Sequence, residues 1–200
     1  MTGTCTKTIL NDVQRLFELK IQDKDMHWPT HKDMQHRSVS ISLKFTPLLL
    51  NEVKSSISNI LRSGNRSEPK KAIIYSNMRR KINDFGKKIG GFLNDNNQFY
   101  TVDYITIHGE LSHQEKAAYL KRFMAEGEQE YGDIRILLAT SGVANAGIDS
   151  REIHTAIRIE FPPSILDICQ EKGRVGRVQN ASPACYSYEI VFDIDSFIAL

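Results

Sequence analysis

The sequence predicts an α/β fold with a mostly parallel sheet covered by helices on both faces. Two observations lead to it. Short apolar runs alternate with helical patterns from residue 39 to residue 192. Parallel neighbours need a helical return, so this order implies crossover units. The chain has 200 residues, 40% of them hydrophobic and 25% charged, enough to bury a core without staples.

The elements follow in order. In residues 5–19, Ile9, Leu10, Val13, Leu16, Phe17 and Leu19 recur at helical spacing, with Thr4 or Thr6 as the cap. Residues 22–36 are polar and hold Pro29, which marks a connector and a boundary near residue 36. Val39, Ile41, Leu43 and Phe45 alternate with polar neighbours as a strand does, and Pro47 opens a helix over 47–61 that stops at Ser63-Gly64-Asn65. A strand over 72–75 precedes a helix over 78–93 weakened by Gly86, Gly90 and Gly91. Residues 102–107 form the next strand, and Ser112 caps a helix over 112–124 with Glu115 three residues on. Apolar runs at 134–139 and 155–159, a helix over 163–172 and a strand over 185–192 complete the series. Ligands on such sheets sit at the carboxyl ends of strands, so chemistry is sought in the loops after Tyr75, Ile107, Ala139 and Ile159.

Composition excludes several classes. No apolar stretch approaches the roughly 20 residues that span a bilayer, so no membrane partner is expected. The start, Met1 to Lys7, lacks the charged-then-apolar order of a secretory signal, which reads as an intracellular protein. Cys5, Cys169 and Cys185 are far apart and form no Cys-x-x-Cys pair, against both a disulfide framework and a zinc ribbon. His27, His31 and His36 cluster, but Pro29 interrupts the helix that would align the first two, and no metal site is assigned. Net charge is only +2, yet Arg62, Arg66, Lys70, Lys71, Arg79, Arg80 and Lys81 face a single acid, Glu68, in their stretch. That is either a phosphate-tracking patch or a solvated linker.

The sharpest signal is Gln170-Glu171-Lys172-Gly173-Arg174-Val175-Gly176-Arg177. Two arginines three apart, each after a glycine, offer planar guanidinium forks on a backbone that can approach a polyphosphate closely. This octet resembles motif VI of superfamily-two helicases in its RecQ version. Residues 136–149, from Ile136 to the Ala146-Gly147-Ile148-Asp149 end, look like motif V, and 72–77 resembles motif IV. His108-Gly109-Glu110-Leu111 is similar to the His-Gly segment between them, and Met1 to Lys7 with Ile9 and Asp12 look like motif III and the helix after it.

The resemblance implies the second, RecA-like motor lobe of a RecQ-like DNA helicase, a three-layer sandwich. Residues 1–35 would be the tail of the first lobe with a connector, and 36–200 the C-terminal domain. ATP with Mg2+ would lie between lobes, with Arg177 as finger, Arg174 on the same phosphate or bracing Arg177, and Gln170 positioning the helix. Gly147, Asp149 and Gly173 would approach the nucleotide, unless Asp149 only caps a turn. Ser76, Asn77, His108, Gly109, Thr140 and Ser141 would contact phosphates of single-stranded or partly duplex DNA, with a plain turn role open for His108. Tyr75 either stacks a base or packs in the core.

Translocation would run 3′ to 5′, and in a eukaryote the resemblance implies the nucleus. The chain carries no Gly-x-x-x-x-Gly-Lys-[Ser/Thr] and no strand-end Asp-Glu pair, parts expected in the first lobe in cis. Turnover by this chain alone is therefore not expected. A standalone non-catalytic nucleic-acid-binding lobe and a decayed fragment remain the other readings.

Overall fold

The computed structural model describes residues 11, 14–16, 39–64, 69–96, 98–99, 101–125, 133–144, 148–177 and 186–194. The motif III-like start, the connector with its histidines, Cys5, Cys185 and Gly147 lie outside the described residues. The chain falls into two units, Met1–Arg37 and Ser38–Leu200. In the first, the described residues are helical.

The second unit runs β1 (Ser40–Thr46), α1 (Leu49–Ser63), β2 (Lys71–Ser76), α2 (Arg79–Asp95), β3 (Val102–Ile107), α3 (His113–Met124), β4 (Asp133–Thr140), α4 (Ser141–Ala144), β5 (Ile153–Arg158), α5 (Ile165–Lys172) and β6 (Ser187–Asp193). The six strands form one sheet in the order β1-β6-β5-β2-β4-β3. Every neighbouring pair is parallel. The expected α/β class is thus the observed one, and α4 is an added turn of helix that periodicity alone does not separate from the loop.

Side chains alternate between sheet faces with period two, which builds a core on each side. Ile73, Tyr75, Leu137, Ala139 and Ala156 meet Phe123 of α3 and Ile168 of α5 on one face. Ile74, Ile136, Leu138 and Ile157 meet Val53, Ile57 and Leu61 of α1 and Ile82, Phe85 and Ile89 of α2 on the other. Burying each of the Val, Leu and Ile side chains among them contributes roughly 1.5–3 kcal/mol. Helices cover both faces of the central strands, because each crossover between parallel strands lays a helix on one face or the other.

Helix α2 runs unbroken through its three glycines. A Cβ on Gly90 would stand 2.6 Å from Tyr104 Cε1 of β3, so the glycine lets helix and sheet approach where a larger residue would force them apart. Helix α3 starts as expected: Ser112 Oγ accepts from Glu115 N at 3.2 Å and Glu115 Oε2 accepts from Ser112 N at 2.8 Å, closing a capping box.

Candidate nucleic-acid cleft and arginine turn

The loops after β2, β3 and β4 border an open cleft of about 600 Å3 whose walls include Asn77, Gly109, Thr140 and Ser141. Those are four of the six residues expected to contact nucleic acid, gathered from three separate loops. Parallel pairing in register explains the meeting, because Ser76 pairs with Thr140 and Ile107 with Ala139, so the three strands end level. The other two residues sit differently. Ser76 is fully buried, its hydroxyl donating to Glu160 Oε1 at 3.0 Å and accepting from Met78 N at 3.1 Å. It shapes the loop rather than facing the cleft. His108 is half-buried, and its Nδ1 is enclosed with no hydrogen-bond partner among the described residues.

Behind the cleft lies a polar cluster that sequence reasoning missed. Arg158, the last residue of β5, is wholly enclosed. Its Nη1 donates to Ser141 Oγ at 2.5 Å and to Glu171 Oε1 at 2.6 Å. Its Nη2 donates to Asn77 Oδ1 and to the Phe161 carbonyl at 3.4 Å. Tyr188 of β6 donates its hydroxyl to Glu171 Oε2 at 2.7 Å. Burial pushes the Glu171 carboxyl above its ordinary range, with the guanidinium and the Tyr188 hydroxyl pulling the other way. The overlooked signal was a single charge, Arg158, inside the apolar run 155–159, since a buried charge requires a partner.

Helix α5 leads to the arginine turn. Ser164 caps its start, accepting from Asp167 N at 3.2 Å, and the helix ends at Gly173. Gly176 then takes φ +66°, with the Tyr186 ring 3.1 Å from where a Cβ would stand. Only glycine fits that left-handed position without strain. Arg174 Nη1 donates to the Ile148 carbonyl at 2.9 Å. Arg177 Nε donates to the Gly173 carbonyl at 3.0 Å, and its Nη1 pairs with Asp149 Oδ1 at 2.6 Å. Burial lowers the Arg174 pKa and the nearby Tyr75 phenol raises it, yet an arginine stays cationic. Gln170, half-buried in the last turn, makes no side-chain hydrogen bond among the described residues.

The turn is not at the carboxyl ends of the strands. Gly176 N donates to the carbonyl of Ile153, the first residue of β5, at 3.1 Å. Helix α5 returns antiparallel to the strand it follows and carries the arginines away from the cleft. Of the residues singled out, those of the cleft lie at the loops after the strands, where chemistry was to be sought, and Arg174 and Arg177 lie elsewhere.

The basic patch also divides. Lys71 is buried, its Nζ donating to the carbonyls of Phe123 and Ala125 at 2.8 and 2.9 Å and pairing with Glu152, so it pins α3 to the sheet. Arg79 pairs with Glu110 at the cleft wall. Tyr75 is fully buried, as its strand position suggested. No group of three or more His, Cys, Asp or Glu able to hold a metal ion occurs among the described residues. No helix among them is long and apolar enough to cross a membrane.

Residues 52–179 match the family described as "Helicase conserved C-terminal domain". The ATP-dependent RNA helicase DBP3 of Kluyveromyces lactis is 34% identical over 91 residues, 46% of this chain and 17% of that protein. DBP3 of Saccharomyces cerevisiae is 31% identical over 98 residues, 49% of this chain and again 17% of the relative. Among solved structures, S. cerevisiae Dbp5 bound to RNA and ADP BeF3 superposes with TM-score 0.59 and 14% identity, covering 99% of this chain and 46% of that one. At that identity the likeness speaks to the fold alone. These named relatives are RNA helicases rather than RecQ DNA helicases, which leaves the RecQ-type expectation without support among them. The match over 52–179 and the parallel six-stranded sheet place the chain in the helicase C-terminal domain family of superfamily two.

Proposed function

We propose that this chain is the second motor lobe of an ATP-dependent helicase, gripping a single nucleic-acid strand in its cleft and presenting arginines to ATP held by a first lobe. The observation that carries the reading is the meeting of Asn77, Gly109, Thr140 and Ser141 in one cleft, apart from a glycine-built turn with Arg174 and Arg177. Backbone and hydroxyl donors of this kind contact phosphates without reading bases. Arg177 is the finger that stabilises charge on the transferring phosphoryl group, and Arg174 contacts the same phosphate or braces the turn. Gln170 positions the helix end, while Asp149 approaches the ribose. Mg2+ is held by the first lobe.

The finer assignment, 3′ to 5′ movement on single-stranded and partly duplex DNA in the RecQ manner, rests on the resemblance carried by the octet at 170–177. The names of the relatives favour RNA instead. One assay decides between them: ATP turnover by this lobe joined to its upstream lobe, with single-stranded DNA or RNA added. Stimulation by DNA supports the RecQ type, and stimulation by RNA alone removes it. Arg177→Ala in the two-lobe protein is expected to lower turnover by about 10³ to 10⁵. Normal turnover by that variant would overturn the finger assignment, and the chain by itself is expected to show none.

A further inference from the structure

We propose that Arg158 is a positioning residue that ties occupancy of the cleft to the arginine turn, an inference that rests on the strand-binding reading above. Arg158 is fully enclosed, so it touches neither strand nor nucleotide. Its one fork reaches the wall of the cleft on one side and helix α5 on the other. On the cleft side it holds Ser141 Oγ at 2.5 Å and Asn77 Oδ1, and Ser141 itself donates to Asn77 Oδ1 at 3.2 Å. On the other side it holds Glu171 Oε1 at 2.6 Å.

Glu171 stands in the last turn of α5, and its carbonyl accepts from Arg174 N at 3.1 Å. The path from cleft wall to arginine turn therefore runs through one guanidinium and one carboxylate. A planar fork with fixed donors transmits orientation in a way a single ammonium cannot. A hydrophobic filler could occupy the same space at less desolvation cost, so the fork supplies specificity of arrangement more than stability. When a phosphate accepts the Ser141 hydroxyl proton in place of Asn77 Oδ1, Ser141 Oγ is pinned between the phosphate and Arg158 Nη1 and Asn77 Oδ1 is left to Nη2, so the fork is held at its cleft end and the Glu171 to Arg174 turn loses freedom. Ordering of one site by occupancy of another is coupling in the thermodynamic sense.

Amide hydrogen exchange on the full 200-residue chain tests this, with single-stranded oligothymidylate and oligouridylate as probes. Either oligonucleotide is expected to slow exchange at Gly109 and Gly142 in the cleft, and also at Gly173 and Arg174, by about threefold or more. In Arg158→Lys, which keeps a cation beside Glu171, the cleft amides still slow and the turn amides do not. Should that variant fail to fold, the isosteric Glu171→Gln gives the same readout, with the response at the turn lost and that at the cleft retained. A purely structural Arg158 would lower the melting temperature and leave the strand-dependent difference at the turn intact, which overturns the proposal. Slowing at the cleft of the unaltered chain without slowing at the turn also overturns it, while the strand-binding reading stands. No slowing anywhere in the unaltered chain overturns that reading and this proposal together.

Discussion

Arg158 Nη1 stands 2.6 Å from Glu171 Oε1, and neither side chain reaches solvent. An ion pair so enclosed is held by mutual neutralisation, and removing one member leaves the other charged in a medium of low polarity. Glu171→Ala is therefore expected to destabilise the fold by about 3–5 kcal/mol in urea unfolding, and the joint replacement Arg158→Met with Glu171→Met by much less. A single truncation costing under about 1 kcal/mol would show that water solvates the pair.

Tyr75 makes the opposite case. Its hydroxyl is buried with no hydrogen-bond partner among the described residues, and burial raises its pKa. An enclosed donor without a partner is a cost that phenylalanine lacks, so Tyr75→Phe should be neutral or stabilise by up to about 1 kcal/mol. A loss of similar size in thermal unfolding would contradict this account of the side chain.

Gly176 should tolerate no side chain. At φ +66° an alanine costs roughly 1–2 kcal/mol, and its Cβ would press on the Tyr186 ring at 3.1 Å. Gly176→Ala is expected to lower the melting temperature and, in the two-lobe protein, to reduce ATP turnover, because the turn that aims Arg177 must shift. Full turnover with a lowered melting point would separate the turn's geometry from its proposed role.

Glu115 gives a pH dependence of known sign. Its hydrogen bonds with Ser112 hold its carboxyl below the ordinary value of 4.5. A depressed folded pKa contributes stability above the unfolded value and loses it as pH falls through the folded one. The start of α3 should accordingly loosen in acid below that ordinary value. An NMR titration should place the Glu115 midpoint under 4.5, and Ser112→Ala should move it upward. An unchanged midpoint in the variant would mean the cap does not hold the carboxylate.

Much of this molecule is legible in the chain because the relevant physics is local. Alternating Ile41, Leu43 and Phe45 mark a strand, and Ser112 with Glu115 marks a helix start, since pleat and capping depend on residues within one turn of each other. Tyr75 is readable as buried for the same reason. The motifs around Asn77, Gly109, Thr140 and Ser141 could be singled out by resemblance, though not their sharing of one cleft. That meeting depends on β2, β4 and β3 pairing in register, a relation between segments dozens of residues apart.

Only the tertiary structure decided the strand order, with β6 inserted between β1 and β5. It also turned Ser76 inward to Glu160, drew Lys71 out of the basic patch and placed the arginine turn beside Ile153. Above all it joined Arg158 to Glu171. The sequence by itself determined which segments are strands and helices and which octet carries the arginines, because periodicity and glycine placement are written residue by residue. Which charges face each other in the interior was decided by packing, where a buried guanidinium takes the partners that the folded sheet brings within reach.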